Sequence, residues 1–252
     1  MQLDGKHALV TGGGTGIGLA IAQALANAGA EVTITGRRAG VLEAAALGTK
    51  RLHPAVMDVT KAQDVDDITA KAVAARGPIA ICVANAGIAE GRSLRNTDPK
   101  FWRTIMATNL DGAYLTIRAA MESMASTNWG RVIAVSSVAG TKGLKGAAAY
   151  SASKHGVIGL IRALAQDFAK KPITCNALCP AYVETDIIAR NVTSIAERAG
   201  VSTQDAKAMM TDVNPHGRLI QADEIAAAAL WLCGPGSDSV NGQAIEISGG
   251  VM

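Results

Sequence analysis

The stretch that decides the fold is Thr11–Gly18, with the sequence TGGGTGIG. It follows a short apolar run at His7–Val10 and leads into a helical pattern over about Gly16–Ala28. Glycines allow a tight turn, close backbone approach to a phosphate and close helix packing, and the helix N-terminus offers N–H groups to an anion. The stretch therefore predicts a dinucleotide-binding loop formed by Thr11, Gly12, Thr15, Gly16, Ile17 and Gly18.

Outward from this loop, strand-like apolar runs alternate with helical patterns along the whole chain. None of the runs alternates strictly between apolar and polar residues, which favours a parallel sheet covered on both faces. We therefore expect an α/β fold of the doubly wound Rossmann type, with a seven-stranded parallel sheet in one domain of residues 1–252. The expected strands are His7–Val10, Glu31–Thr35, Leu52–Met57, Ile79–Ala84, Val132–Ser136, Ile173–Leu178 and Ala244–Ile247, and the expected helices are Gly16–Ala28, Gly40–Leu47, Lys61–Arg76, Pro99–Thr127 and Tyr150–Lys170.

Composition excludes several classes of function. The formal net charge is +3 and the cations are dispersed, so we expect no nucleic-acid or membrane-surface partner. The N-terminus lacks the features of a signal peptide, and no apolar run is long enough to span a membrane. The 4 cysteines have no CxxC spacing and are expected to be free thiols, which indicates a cytoplasmic protein.

The end of the second expected strand bears on the choice of dinucleotide. An NAD site of this type has a carboxylate there for the ribose 2′-hydroxyl. This chain has Arg37 and Arg38 instead, and guanidinium groups attract and hydrogen-bond a 2′-phosphate. NADP(H) is therefore favoured over NAD(H), which stays possible; the alternative is that one or both arginines are merely solvated.

A candidate catalytic group follows the fifth expected strand. Tyr150 and Lys154 are four residues apart, so a helix puts them on one face, and a nearby ammonium favours the phenolate and lowers the pKa of a tyrosine. Ser137, thirteen residues before Tyr150, can hydrogen-bond a carbonyl oxygen on which charge develops. The alternative is a coincidental Tyr–Lys pair on a helix surface.

Five motifs in order resemble those of the short-chain dehydrogenase/reductase superfamily, in its shorter single-domain branch. The resemblance covers essentially the whole chain and ends in ISGG at Ile247–Gly250. The motifs are TGGGTGIG at Thr11–Gly18, NAG at Asn85–Gly87, Asn109 in ATNLDG, SSVAG from Ser136 and YSASK from Tyr150.

This resemblance implies a role for each matching residue. Tyr150 would be the general acid/base, and Lys154 would lower its pKa and bind the nicotinamide ribose. Ser137 would polarise the substrate carbonyl, and Asn109 would hold a water that links Lys154 to solvent. The other cofactor contacts it implies are Asp58, Val59, Asn85, Ala86, Gly87, Pro180, Val183 and Thr185.

Two positions leave alternatives open. Asp58 either contacts the adenine or caps the following helix. Tyr182 either reaches the substrate or packs. Ala181 stands where the family usually has glycine, so this turn is expected to differ in shape. His155 lies about 100° around the helix from the catalytic face and is expected to have no catalytic role, and we expect no metal site.

The segment of about 182–217 is the expected substrate lid, mixing apolar residues with cations. The alternative is an amphipathic helix pair packed on its own domain. Its sequence resembles the 3-oxoacyl-thioester reductases and the 3-hydroxyacyl dehydrogenases, which implies a 3-oxoacyl or 3-hydroxyacyl substrate. The alternatives are a small alcohol, hydroxy acid or sugar, or a regulatory protein without catalysis. The resemblance also implies a homotetramer paired through the helices near 100–127 and 150–170.

Overall fold

The computed structural model describes residues 2–185, 192, 200–212 and 214–250. Within them, seven parallel strands form one sheet in the order β3-β2-β1-β4-β5-β6-β7. The doubly wound fold expected from the sequence is confirmed. The strands are β1 (His7–Thr11), β2 (Glu31–Gly36), β3 (Leu52–Val56), β4 (Ile79–Ala84), β5 (Gly130–Val135), β6 (Ile173–Pro180) and β7 (Ala244–Ile247).

Helices cover both faces of this sheet. The helices are α1 (Gly16–Asn27), α2 (Ala39–Ala46), α3 (Ala62–Arg76), α4 (Pro99–Met106), α5 (Gly112–Met124), α6 (Ala148–Asp167), α7 (Thr203–Thr211) and α8 (Ala222–Leu232). None of the helices in the described ranges is both long and apolar enough to cross a membrane.

The central strand β1 contributes to two hydrophobic cores. Ala8 and Val10 belong to the core formed with α1 and α8, whereas Leu9 belongs to the core formed with α5 and α6. Successive side chains of a strand point to opposite faces, and all three residues are fully buried. The strands β1, β4, β5 and β6 are buried along their whole length, so both of their faces are covered, which explains why they are mostly apolar without strict alternation.

The long helix expected over Pro99–Thr127 is wrong in one respect, because a π-helical turn at Ala107–Asp111 separates α4 from α5. Hydrogen bonds link the Asn109 side chain to both backbone groups of Ile88, on the loop after β4. These bonds hold Asn109 inward and offset the poorer geometry of a π turn, which sequence periodicity does not reveal.

The turn after β6 is compatible with alanine. No non-glycine residue among those described has a positive φ, so Ala181 adopts an ordinary backbone conformation, and its N–H donates to Ile247 O (3.1 Å). Alanine fits here without strain, and the expectation that this turn differs in shape from the family's stays a prediction. Part of the expected lid, residues 186–191 and 193–199 together with residue 213, lies outside the described residues.

The order of the strands reverses at the centre of the sheet. β1 lies between β2 and β4, so the chain winds outward in one direction from β1 to β3 and in the other from β4 to β7. In such sheets the crevice at the carboxyl ends of the strands, where the order reverses, is the usual ligand site. The glycine loop follows β1 and the NAG motif follows β4, so both border this crevice.

Candidate active site

The glycine loop leaves no room for side chains. A Cβ at Gly12 would lie 2.8 Å from Asn85 Nδ2, and a Cβ at Gly18 would overlap the Gly12 carbonyl. Gly12 and Gly16 have φ values of 65° and 54°, which L-residues rarely adopt. The N–H groups in the first turn of α1 have no acceptor within the helix. The loop therefore fits a dinucleotide phosphate, which needs close backbone approach and N–H donors.

Thr11 supports this loop from below. Its side chain is 1% exposed, and its Oγ1 accepts hydrogen bonds from the Asn85 and Ala86 N–H groups (3.1 Å each). Asn85 Nδ2 in turn donates to Thr11 O (2.9 Å). The Thr11 hydroxyl therefore joins the loops after β1 and β4, and a direct contact of Thr11 with the cofactor stays a prediction.

Arg37 and Arg38 lie exposed at one end of a cleft of about 1610 Å³, beside Asp58. Asp58 Oδ1 accepts from the Thr60 N–H (3.0 Å) and Thr60 hydroxyl (2.8 Å). Burial acts to raise the pKa of Asp58, but the Thr60 hydrogen bonds and the Arg37 charge lower it. The carboxylate is thus an acceptor in the cleft. Helix α3 has Lys61 as its N-cap, so the capping alternative for Asp58 is wrong.

Three further predicted cofactor contacts, Val59, Ala86 and Gly87, also border the cleft. Val59 is 8% exposed and packs against Met57 and Val65 while it lines the cleft wall. Ala86 and Gly87 line the cleft between the glycine loop and the catalytic group.

Tyr150 lies in the first turn of α6, one turn before Lys154, and both line the cleft. Lys154 is 5% exposed, its Nζ donates to Val135 O (2.8 Å) and it lies 5.8 Å from the centre of the Tyr150 ring. The spacing therefore brings the two residues together as predicted. The ammonium is nevertheless directed to the end of β5.

The pKa of Tyr150 differs from the expectation. Burial of the phenol raises its pKa, a hydrogen bond with Ser137 lowers it, and nearby Tyr182 raises it. Burial lowers the pKa of Lys154 to about 8. The sequence predicts that Lys154 lowers the pKa of Tyr150. In the folded chain the burial of the phenol dominates and raises this pKa, and Lys154 Nζ is hydrogen-bonded to Val135 O instead. The phenol therefore stays protonated at neutral pH.

Ser137 lies two residues after the end of β5 and is 7% exposed. Its Oγ accepts a hydrogen bond from the Ala139 N–H (3.1 Å), which fixes the hydroxyl at the start of the short helical turn Val138–Gly140. Because Ser137 also bonds Tyr150, two hydroxyl groups converge on one point of the cleft.

Asn109 lies behind these residues and is 2% exposed. A Cβ at Gly87 would lie 3.2 Å from Asn109 Oδ1 and 3.6 Å from Lys154 Nζ. Both groups therefore border the same small space behind Gly87.

The segment after β6 closes one side of the cleft. Val183 forms a β-bridge with Ile220, and a Cβ at Gly16 would lie 3.1 Å from the Thr185 methyl group. Pro180, at the end of β6, also lines the cleft. These three predicted cofactor positions thus border the same cleft as the glycine loop.

Tyr182 packs on its own domain and also borders the cleft, and a contact with substrate stays a prediction. Its ring packs against Leu219, as Val192 also does, and it lines the cleft. Its influence on the pKa of Tyr150 makes the two phenols neighbours.

Sequence reasoning missed the far wall of the cleft. That wall is formed by the loops before α4 and α6, whose polar residues belong to no motif. The two loops approach each other closely, since a Cβ at Gly91 would lie 3.0 Å from Gly146 O, and this tertiary approach has no local sequence signal. The polar residues of this wall include Glu90, Arg92, Ser93, Asn96, Lys142 and Lys145. His155 is exposed and bonds Ser151 O of its own helix (2.9 Å), away from the cleft. The described residues contain no group of three or more metal-ligating side chains.

Fold and site together define a class: a dinucleotide-dependent oxidoreductase with a Tyr–Lys pair at the switch point of a doubly wound sheet. The family model for short chain dehydrogenase matches residues 6–196. The chain belongs to this family. It is therefore an oxidoreductase that transfers a hydride between a nicotinamide cofactor and a CH–OH or carbonyl group.

Named relatives span nearly the whole chain. A D-beta-hydroxybutyrate dehydrogenase of Cupriavidus necator is 34% identical over 99% of this chain and 98% of its own length. The 3-oxoacyl-[acyl-carrier-protein] reductase FabG of Escherichia coli is 34% identical over 100% of this chain and 99% of its own. A crystal structure of a variant of the actinorhodin polyketide ketoreductase with NADPH superposes with a TM-score of 0.95, at 32% identity, covering 100% of this chain and 98% of that one.

Proposed function

We propose that the protein is an NADPH-dependent reductase of 3-oxoacyl substrates, with Tyr150 as the proton donor. The observation that carries this proposal is the cleft shared by Ser137, Tyr150 and Lys154 with the glycine loop and two exposed arginines. Relatives named for 3-oxoacyl reduction and 3-hydroxybutyrate oxidation support the substrate class. A neighbour crystallised with NADPH supports the cofactor.

Each residue contributes one step or contact to this reduction. Bound NADPH supplies the hydride. Ser137 donates a hydrogen bond to the substrate carbonyl oxygen, and Tyr150 gives that oxygen a proton. The raised pKa of Tyr150 suits a donor that is protonated before the reaction. Lys154, with a pKa of about 8, is largely cationic at neutral pH and stabilises the phenolate left behind.

The cofactor contacts follow from the same arrangement. The first-turn N–H groups of α1 would hold the pyrophosphate, and Arg37 and Arg38 would hold the 2′-phosphate. Asp58 would accept from the adenine, and Thr185 would face the nicotinamide amide.

The test is an NADPH-oxidation assay with an acetoacetyl thioester, run on the wild type and on Tyr150→Phe. We expect the variant to lose at least about a hundredfold in kcat, the lower end of a general acid's contribution, while the Kd for NADPH changes less than about twofold. Wild-type turnover by Tyr150→Phe would sink the catalytic assignment.

A second candidate is the NAD-dependent oxidation of a free 3-hydroxy acid, favoured by the hydroxybutyrate dehydrogenase relative. The same assay separates the two candidates if free 3-hydroxybutyrate with NAD is compared with the thioester and NADPH. A higher kcat/KM for the free acid and NAD would replace the first candidate with the second.

We also propose a cytoplasmic homotetramer whose subunits pair through α4, α5 and α6. Trp102 on α4 and Tyr114 on α5 are large apolar side chains with 37% and 49% exposure, a pattern that suits an interface. Light scattering of the purified protein tests the mass, and a monomer of wild-type activity would refute the tetramer.

A further inference from the structure

Ser153 is a fully buried polar residue between three elements of the site, and no motif role falls to it. It is 0% exposed and immediately precedes Lys154 on α6. Its hydroxyl donates to Tyr150 O (2.7 Å) and accepts from Asn109 Nδ2 (3.1 Å). One hydroxyl thus joins the first turn of α6 to the π turn that carries Asn109.

These bonds complete the hydrogen bonding of the Asn109 amide. Asn109 Oδ1 accepts from the Ile88 N–H (2.8 Å), and Nδ2 donates to Ile88 O (3.0 Å) and to Ser153. Both N–H donors of the amide are therefore used. Without the Ser153 hydroxyl, one of them would be left unpaired in the interior, and the amide would turn to find a partner.

Such a turn would disturb the reacting pair. Asn109 Oδ1 and Lys154 Nζ border the same space behind Gly87. The orientation of the amide therefore determines the polar surroundings of the ammonium that lies beside Tyr150.

We propose that Ser153 is a positioning residue that fixes the Asn109 amide against the first turn of α6 and acts on the hydride-transfer reaction through Asn109. This proposal rests on the proposed function. Ser153 itself does not line the cleft among the described residues, so its effect belongs in kcat and not in the affinity for substrate or cofactor.

The test combines Ser153→Ala with a matched control and a double-mutant cycle. Ser237 is also 0% exposed and donates to two backbone carbonyls, those of Leu232 and Gly234, away from the cleft. We expect Ser153→Ala to lower kcat about tenfold, with KM for substrate and for NADPH within about twofold of wild type, since the lost contact is made behind the reacting groups. Ser237→Ala should lose comparable thermal stability but keep its kcat.

The cycle tests whether Ser153 acts through Asn109. If it does, Ser153→Ala should slow the wild type but not further slow Asn109→Ala, because the partner is already absent. Losses that multiply in the double variant, or a wild-type kcat for Ser153→Ala, would overturn the proposal. If Ser153→Ala does not fold, Ser153→Cys, which keeps the size but bonds weakly, takes its place in the cycle.

These outcomes are distinct from failure of the proposed function. That failure appears as unchanged turnover in Tyr150→Phe. A Ser153→Ala enzyme with full kcat, beside an inactive Tyr150→Phe, refutes only the role of Ser153.

Discussion

Arg37 and Arg38 are exposed side chains on the cleft, whereas Ser137 and Lys154 at its reacting centre are buried. An exposed arginine contributes little to the fold, whereas a guanidinium that bonds a phosphate contributes strongly to binding. Stability and cofactor choice therefore depend on different residues at this end of the site.

Replacing both arginines by alanine should change cofactor preference. We expect KM for NADPH to rise about tenfold to a hundredfold, since a hydrogen bond to a charged group is worth about 1.5–3 kcal/mol. KM for NADH should stay within about twofold. Steady-state kinetics with each cofactor measures this.

Arg162→Ala provides the control, because Arg162 is an exposed arginine on α6 and outside the cleft. It should leave both KM values unchanged. Equal losses with NADPH and NADH in the double variant would show that the arginines do not recognise the 2′-phosphate.

At the scale of elements, hydrogen bonds of the His7 side chain link β1 to β2 and to the segment that precedes β4. His7 is 2% exposed, and its ring nitrogens lie 2.8 Å from Gly77 O, before β4, and 2.8 Å from Thr33 Oγ1 on β2. Burial lowers its pKa, the charges of Arg76 and His53 lower it further, and the Gly77 bond raises it in part. The folded protein therefore holds this histidine neutral where the unfolded chain would protonate it.

This difference predicts how stability depends on pH. Below the unfolded pKa of about 6.5, the unfolded chain binds a proton that the folded chain does not, so the free energy of unfolding falls as the pH falls. Urea unfolding between about pH 7.5 and about pH 5 should show this decline for the wild type and a shallower one for His7→Gln. His155→Gln, an exposed histidine, should keep the wild-type slope. Identical slopes for the wild type and His7→Gln would contradict the prediction.

The elements also show what the sequence can and cannot predict. The apolar runs at Ile79–Ala84 and Ala244–Ile247 match β4 and β7 residue for residue, because each run ends where the chain leaves the sheet. The π turn at Ala107–Asp111 was not predicted, since it depends on bonds to Ile88, which is distant in sequence. The spacing of Tyr150 and Lys154 predicted a shared face, but the bond from Nζ to Val135 O is tertiary and has no local signal.

At the scale of the whole molecule, Arg131 ties the centre of the sheet to α8. It is 2% exposed; its Nε donates to Leu232 O (2.9 Å), and another guanidinium nitrogen donates to Asp238 Oδ1 (2.6 Å). It lies near the start of β5, whereas Ser137 follows the end of that strand. Its contacts are thus at the opposite edge of the sheet from the cleft.

Arg131→Met should therefore destabilise the fold without slowing the reaction. We expect the free energy of unfolding to fall by about 2–4 kcal/mol, because the Leu232 and Gly130 carbonyls would lose their buried hydrogen-bond donors, with kcat unchanged. Asp238→Asn should cost less than about 1 kcal/mol, since Asp238 is largely exposed. Denaturant unfolding and steady-state kinetics on the same samples test both; a wild-type midpoint for Arg131→Met would refute the role.

The two-sided burial of β1 has a consequence for how the chain finds its alignment. With Ala8, Leu9 and Val10 all buried, sliding the strand by one residue exchanges one apolar face for another, so hydrophobicity discriminates weakly between registers. The discrimination must come from contacts that depend on one alignment. These are the His7 hydrogen bonds at the start of the strand and the close fit of Gly12 and Gly18 around Asn85 after the strand's end. The glycine loop thus also helps to fix the register of β1 against its neighbouring strands. Residues that would bind the cofactor therefore take part in selecting the native strand pairing during folding, before any cofactor is bound.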